Sequence, residues 1–145
     1  KNSFNIFDLK FFEDEKQIKS TGSHNGYEKN FGCTHKREIA IDKFSNDLLG
    51  SDKLIKRQDG KPVNYSIRFH LYPGLTAIKT MGGNSALIQI SRNKSLIFTT
   101  KEDPIILEKS IFLGRNKILN STCLTISGNL VNKNKTIHWE IKKNI

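Results

Sequence analysis

The sequence is short of the features that usually mark a known chemistry. It has two cysteines, Cys33 and Cys123, far apart in the chain. One long-range disulfide is sterically conceivable, but two cysteines cannot make a disulfide framework, and we read them as free thiols. No apolar run approaches the roughly 20 residues that a helix needs to cross a bilayer, so no membrane span is expected. Gly82-Gly83 is followed by no Lys-Ser/Thr pair, which excludes a phosphate-binding Walker loop and a dinucleotide fingerprint. There is no Gly-x-Ser-x-Gly nucleophile elbow. Helix-turn-helix and zinc-finger patterns are missing as well. Acidic residues are scarce, 14 against 24 Lys and Arg, for a formal net charge of +10. Such a balance attracts polyanions without choosing among nucleic acid, anionic lipid and acidic polysaccharide. The opening Lys1-Asn2-Ser3-Phe4 has neither an initiator Met nor a signal pattern, and we read the chain as a piece of a longer protein.

What the sequence does have is a period of two. Tyr65, Ile67, Phe69 and Leu71 alternate with Ser66, Arg68 and His70, the cleanest strand signal in the chain. Ile39 and Ile41 alternate in the same way behind Arg37. Ala86 to Ile90, a turn at Arg92-Asn93-Lys94, and Ser95 to Thr99 read as a hairpin. Further strand pieces are expected at Ile105 to Leu107, Ser110 to Leu113, Leu124 to Ile126 and Thr136 to Ile141. Turn signals separate them: Asp59-Gly60-Lys61-Pro62, Tyr72-Pro73-Gly74, Met81-Gly82-Gly83-Asn84, Leu113-Gly114-Arg115-Asn116 and Ser127-Gly128-Asn129. No window of eleven or more residues has a helical period, although Phe44 to Leu49 could form one short turn. The pattern predicts an all-β protein, an antiparallel β-sandwich, as a single domain over residues 1–145. Antiparallel sheets commonly bury one face. Tyr65, Ile67, Phe69 and Leu71 are therefore core candidates, and Arg68 and His70 belong to a polar face.

The chemically richest stretch is Ser23 to Arg37, which contains His24, Tyr27, Cys33, His35 and Arg37. His24, Cys33 and His35 are acceptable zinc ligands one by one, but their spacing matches no known site and a fourth ligand is unassigned; no metal or other cofactor is expected. Proton abstraction needs a His or Tyr tuned near neutrality and a cation to hold developing negative charge. Tyr27, His35, Arg37, Arg68 and His70 have the right chemistry if the strands of Arg37 and Arg68 lie side by side. Nucleic-acid binding would need exposed aromatics interleaved with basic residues. Tyr65 and Phe69 share their face with Ile67 and Leu71, so no nucleic-acid partner is expected.

Several motifs, in order, resemble the C-terminal region of the heparinase II/III-like family. The first is Ser23-His24-Asn25-Gly26-Tyr27 with Gly32, His35 and Arg37. The second is Leu49-Gly50-Ser51-Asp52-Lys53-Leu54, similar to a Gly-x-Asp-x-Leu turn and strand. The third is Arg68-Phe69-His70-Leu71-Tyr72-Pro73-Gly74, in which Tyr72 replaces a usual histidine. Leu107 to Gly114 and the strand around Trp139 fit the family's ending. The resemblance implies polysaccharide lyases that cleave uronate-containing glycans by β-elimination, with an N-terminal α/α toroid joined to a C-terminal β-sandwich. It also implies a bacterial parent in a periplasmic or cell-surface setting. A His-x-His-x-Asp segment that carries a catalytic histidine in many relatives has no counterpart here, nor does the toroid. This chain is then the distal part of an incomplete sandwich with no catalytic residue of its own. On this reading His24, Tyr27, His35, Arg37, Arg68 and His70 shape the sheet and contact an acidic polysaccharide as substrate-binding residues. An incomplete sandwich exposes an edge, which predicts self-association. The competing expectation is a stand-alone carbohydrate-binding or structural module with Trp139 or Tyr72 exposed on a flat face.

Overall fold

The computed structural model describes residues 4–57, 61–114, 116–131 and 133–144. The expected turn residues Asp59, Gly60 and Arg115 lie outside the described residues. The described chain is almost entirely β-strand. In chain order it forms β1 (Ile6–Glu13), β2 (Gln17–His24), a one-turn helix α1 (Glu28–Phe31), β3 (Cys33–Asp42), β4 (Leu48–Lys56), β5 (Val63–His70), β6 (Thr76–Lys79), β7 (Ser85–Ser91), β8 (Lys94–Thr100), β9 (Ile105–Gly114), β10 (Lys117–Leu130) and β11 (Asn134–Asn144). Hydrogen bonding groups them into an eight-stranded sheet, β1-β2-β3-β4-β11-β8-β7-β6, and a three-stranded sheet, β5-β10-β9. These two antiparallel sheets are those of a β-sandwich. The chain divides into two compact units, one of residues 1–64 and 129–140, the other of residues 65–128 and 141–145.

In the first unit β1 to β4 form a meander. The register sets His24 opposite His35 across β2 and β3, and Arg37 opposite Asp52 across β3 and β4. Side chains alternate along a strand. Cys33, His35, Arg37 and Ile39 therefore share a face with Gly50, Asp52, Leu54 and Lys56, and Thr34, Lys36 and Glu38 share the other face with Ser51, Lys53 and Ile55. Ile137 and Trp139 of β11 are buried. A side chain at Gly50 would overlap the Trp139 ring, so glycine there lets the indole lie directly on the strand. Gly32 ends α1 at φ 61°, with its N–H bonded to the Glu28 carbonyl, a left-handed closure that glycine adopts without a Cβ penalty. β1 differs from the rest. A bulge lies between Phe7 and Lys10, with Asp8 at φ 53°. Every residue of β1 is exposed, including Leu9 at 71% and Phe11 at 70%.

In the second unit β7 and β8 form the expected hairpin, and Phe98, Ile88 and Ala86 are buried. The two strand pieces expected between Ile105 and Leu113 are one continuous strand, β9, paired over its whole length with β10. The turn expected at Ser127-Gly128-Asn129 is instead the end of β10. Gly128 is where the Tyr65 ring lies against the strand, a close backbone approach rather than a reversal. Ile67 is buried and Tyr65, Phe69 and Leu71 are half-buried, while Arg68 and His70 are exposed. The alternation thus places the two faces of β5 as the sequence predicts.

Candidate functional site

The first unit holds a hydrogen-bonded network around Asp52, whose side chain is 0% exposed. A buried carboxylate is costly unless it is paired and fully hydrogen-bonded. Here it is. His35 Nε2 and Arg37 Nε each lie 2.7 Å from Oδ1, and Trp139 Nε1 donates to Oδ2 at 2.8 Å. Strand register explains the meeting. Arg37 is directly opposite Asp52, and His35, two residues back on β3, is its diagonal neighbour. Burial pushes the Asp52 pKa upward, but the donors His35, Arg37 and Trp139, together with the Arg37 charge, outweigh burial and hold it below the ordinary carboxylate value.

The network continues outward. His35 Nδ1 lies 3.1 Å from His24 Nε2, and the Gly26 N–H donates to His24 Nδ1 at 3.2 Å. Donor counting fixes the protons. Because His24 Nδ1 accepts from an amide, its proton sits on Nε2, which donates to His35 Nδ1, and His35 Nε2–H donates to Asp52. In this arrangement both nitrogens of each ring are occupied. Burial, then the neighbouring His35 and the Arg37 charge, lower the His24 pKa. Tyr27, just before α1, packs its exposed ring edge-on against His24 with centroids 5.1 Å apart. Of Arg37, only Nε reaches Asp52, and the side chain remains 41% exposed.

The structure therefore brings together four of the six expected site residues, His24, Tyr27, His35 and Arg37. It does not bring Arg68 and His70 into that cluster, because β3 pairs with β2 and β4 while β5 belongs to the three-stranded sheet. In the second unit Arg68 Nε lies 3.7 Å from Glu108, and His70 Nδ1 is 2.8 Å from the Ser110 hydroxyl. These groups, with Asn120 and Cys123, line a shallow groove of ≈ 490 Å³.

Two residues central to the network, Asp52 and Trp139, escape sequence reasoning as site residues. Asp52 does leave a signal: the alternation that aligns Arg37 with Ile39 on one strand face calls for an acid opposite. Trp139 is 5% exposed, which removes it as a flat sugar-stacking platform, whereas Tyr72 is 67% exposed. Cys33 and Cys123 are free and buried, and burial raises the Cys33 pKa against the opposing pull of Lys56, so Cys33 is no ready thiolate. Among the described residues no three His, Cys, Asp or Glu side chains gather as a metal site. No described helix is long and apolar enough to cross a membrane.

Comparison with known proteins agrees with this architecture. The family profile described as "Heparinase II/III-like, C-terminal" matches residues 5–140. Among solved structures, the heparan sulfate lyase HepC from Pedobacter heparinus is similar over 95% of this chain and 21% of its own, with TM-score 0.81 at 12% identity. A heparinase III gene product is similar over 94% of this chain and 21% of its own, with TM-score 0.75 at 9% identity. A further heparinase III is similar over 99% and 21%, with TM-score 0.71 at 15% identity. At such identities the likeness is one of fold. The chain spans about a fifth of the length of these structures. A search of curated protein sequences finds no significant match. The chain belongs to the heparinase II/III-like family and corresponds to its C-terminal region.

Proposed function

We propose that this chain is the C-terminal β-sandwich portion of a polysaccharide lyase that acts by β-elimination on uronate-containing glycans, and that it serves there as a non-catalytic scaffold. The observation that carries the reading is the engagement of the reactive groups. A general base must offer a free lone pair within hydrogen-bond reach of the proton it takes. His24 and His35 spend all four ring nitrogens on each other, on Gly26 and on Asp52. What faces outward is the edge of that network, the Arg37 guanidinium and the Tyr27 ring, groups suited to hold an acidic sugar in place. Arg68 and His70 supply the same chemistry on the other sheet.

In this reading the parent is bacterial, works in the periplasm or at the cell surface, and supplies the base and an α/α toroid from the rest of its length. Leu9 and Phe11 of β1, 71% and 70% exposed, are then covered in the parent. In isolation they make the chain self-associate, which light scattering over a concentration series checks; a monomer at every concentration rejects that part. The test of the function is ultraviolet detection of unsaturated uronate product from acidic polysaccharides, run on this chain and on its parent. Product from the parent alone is expected. Product from this chain rejects the scaffold reading, and product from neither rejects the lyase reading.

A further inference from the structure

A second site lies on the opposite face of the same β-meander from Asp52. Thr34, Lys36 and Glu38 project there from β3, and Ser51, Lys53 and Ile55 from β4. The register sets Lys36 directly opposite Lys53. Like charges directly across an antiparallel pair are destabilising. Glu38, the acid on the same face, is taken by Lys19 at 2.7 Å, and no described acidic side chain pairs with Lys36 or Lys53.

The two lysines line a concavity of ≈ 320 Å³. Phe7 and Asp8 stand at its edge, where the β1 bulge leaves Asp8 at φ 53°. Ser23 lines it too. That residue is only 5% exposed, but its hydroxyl is not a buried orphaned atom and offers one donor and two acceptor sites to the concavity.

We propose that this concavity binds one acidic sugar residue of a glycan chain. The lysine pair takes its sulfate or carboxylate, Ser23 and Asp8 exchange hydrogen bonds with its hydroxyls, and Phe7 covers a face of the ring. An inorganic anion would satisfy the lysines but would leave Phe7 and Asp8 without a role, and the Asp8 carboxylate would repel it. The combination of paired cations, an acceptor and an aromatic wall therefore favours a saccharide over a simple anion. The concavity shares one lining residue, His35, with the Asp52 network and otherwise opens on the opposite face from that carboxylate, and the inference does not depend on lyase activity in the parent.

The test is a heteronuclear NMR titration of this chain with a sulfated uronate tetrasaccharide, with inorganic sulfate and inorganic phosphate as competitors. Shift changes are expected at Phe7, Asp8, Ser23, Lys36 and Lys53. The double variant Lys36→Gln/Lys53→Gln should weaken binding at least tenfold while its Tm holds or rises, because a repulsive pair has been removed. Phe7→Leu should weaken the saccharide and leave inorganic sulfate unaffected. Shifts confined to other strands, unchanged affinity in the double variant, or displacement of the saccharide by equimolar phosphate would each overturn the proposal.

Discussion

Two histidine–arginine pairs stand at the same spacing on two strands, His35 with Arg37 on β3 and Arg68 with His70 on β5. Their surroundings differ. The β3 pair converges on a carboxylate that is wholly buried and has a third donor in Trp139. The β5 pair meets Glu108 and Ser110 separately, and the side chains of Arg68 and Glu108 are 56% and 42% exposed, Glu108 also accepting from the Thr125 hydroxyl at 2.5 Å. Charge pairs in water are screened and worth little. A charge buried with its partners is expensive to strip of any one of them. The same two residue types are thus a structural keystone in one unit and an open polar surface in the other, and the burial of the partner acid decides which.

The most direct way to break the contrast is Asp52→Asn. It replaces an acceptor-only group by one that must turn an N–H toward existing donors. A loss of about 3–5 kcal/mol is expected in denaturant unfolding. A loss below about 1 kcal/mol would mean that the network is not a keystone. Acid titration sharpens it next. His24 has a folded pKa below its ordinary 6.5, so below that pH the unfolded chain binds the proton more readily. Stability is full above about pH 6.5 and declines as pH falls toward the folded value. Asp52, held below 3.8, obeys the same sign: its contribution is complete above that pH and is lost as pH falls further. Thermal melts should therefore descend in two stages. His24→Gln should remove the first stage only, and a single stage in the unaltered chain would contradict this. The smallest effect belongs to Arg68→Gln, which breaks the open pair with Glu108 and should cost less than about 1 kcal/mol. A loss as large as that of Asp52→Asn would erase the distinction between the two pairs.

The strands with clean alternation are legible in the residue order itself: β5, the β7–β8 hairpin and residues 136–141 of β11. Those that the order hides have physical reasons to be hidden. β1 is apolar on both sides of a bulge, so its period breaks at Asp8 and Leu9. β2, Gln17 to His24, is polar almost throughout and shows no apolar face. β4 contains Gly50 and Asp52, residues with poor strand propensity that are retained because Trp139 lies on one and three donors surround the other. The helix at Glu28–Phe31 is a single turn, too short for a 3.6-residue period to register. Gly128 resembles a turn because glycine signals both reversal and close approach, and only the ring of Tyr65 tells them apart.

The amino-acid order alone determined the all-β class, the polar face of β5, the positive charge, and, through its ordered motifs, the family. These depend on local alternation and on residues near one another in the chain. Tertiary structure decided what the reactive residues do. Asp52 and Trp139 are 87 positions apart, and whether their meeting buries a carboxylate depends on strand register and sheet order, which local sequence does not encode. The same holds for Lys36 and Lys53, two ordinary lysines until β3 and β4 align and set the two residues directly opposite each other.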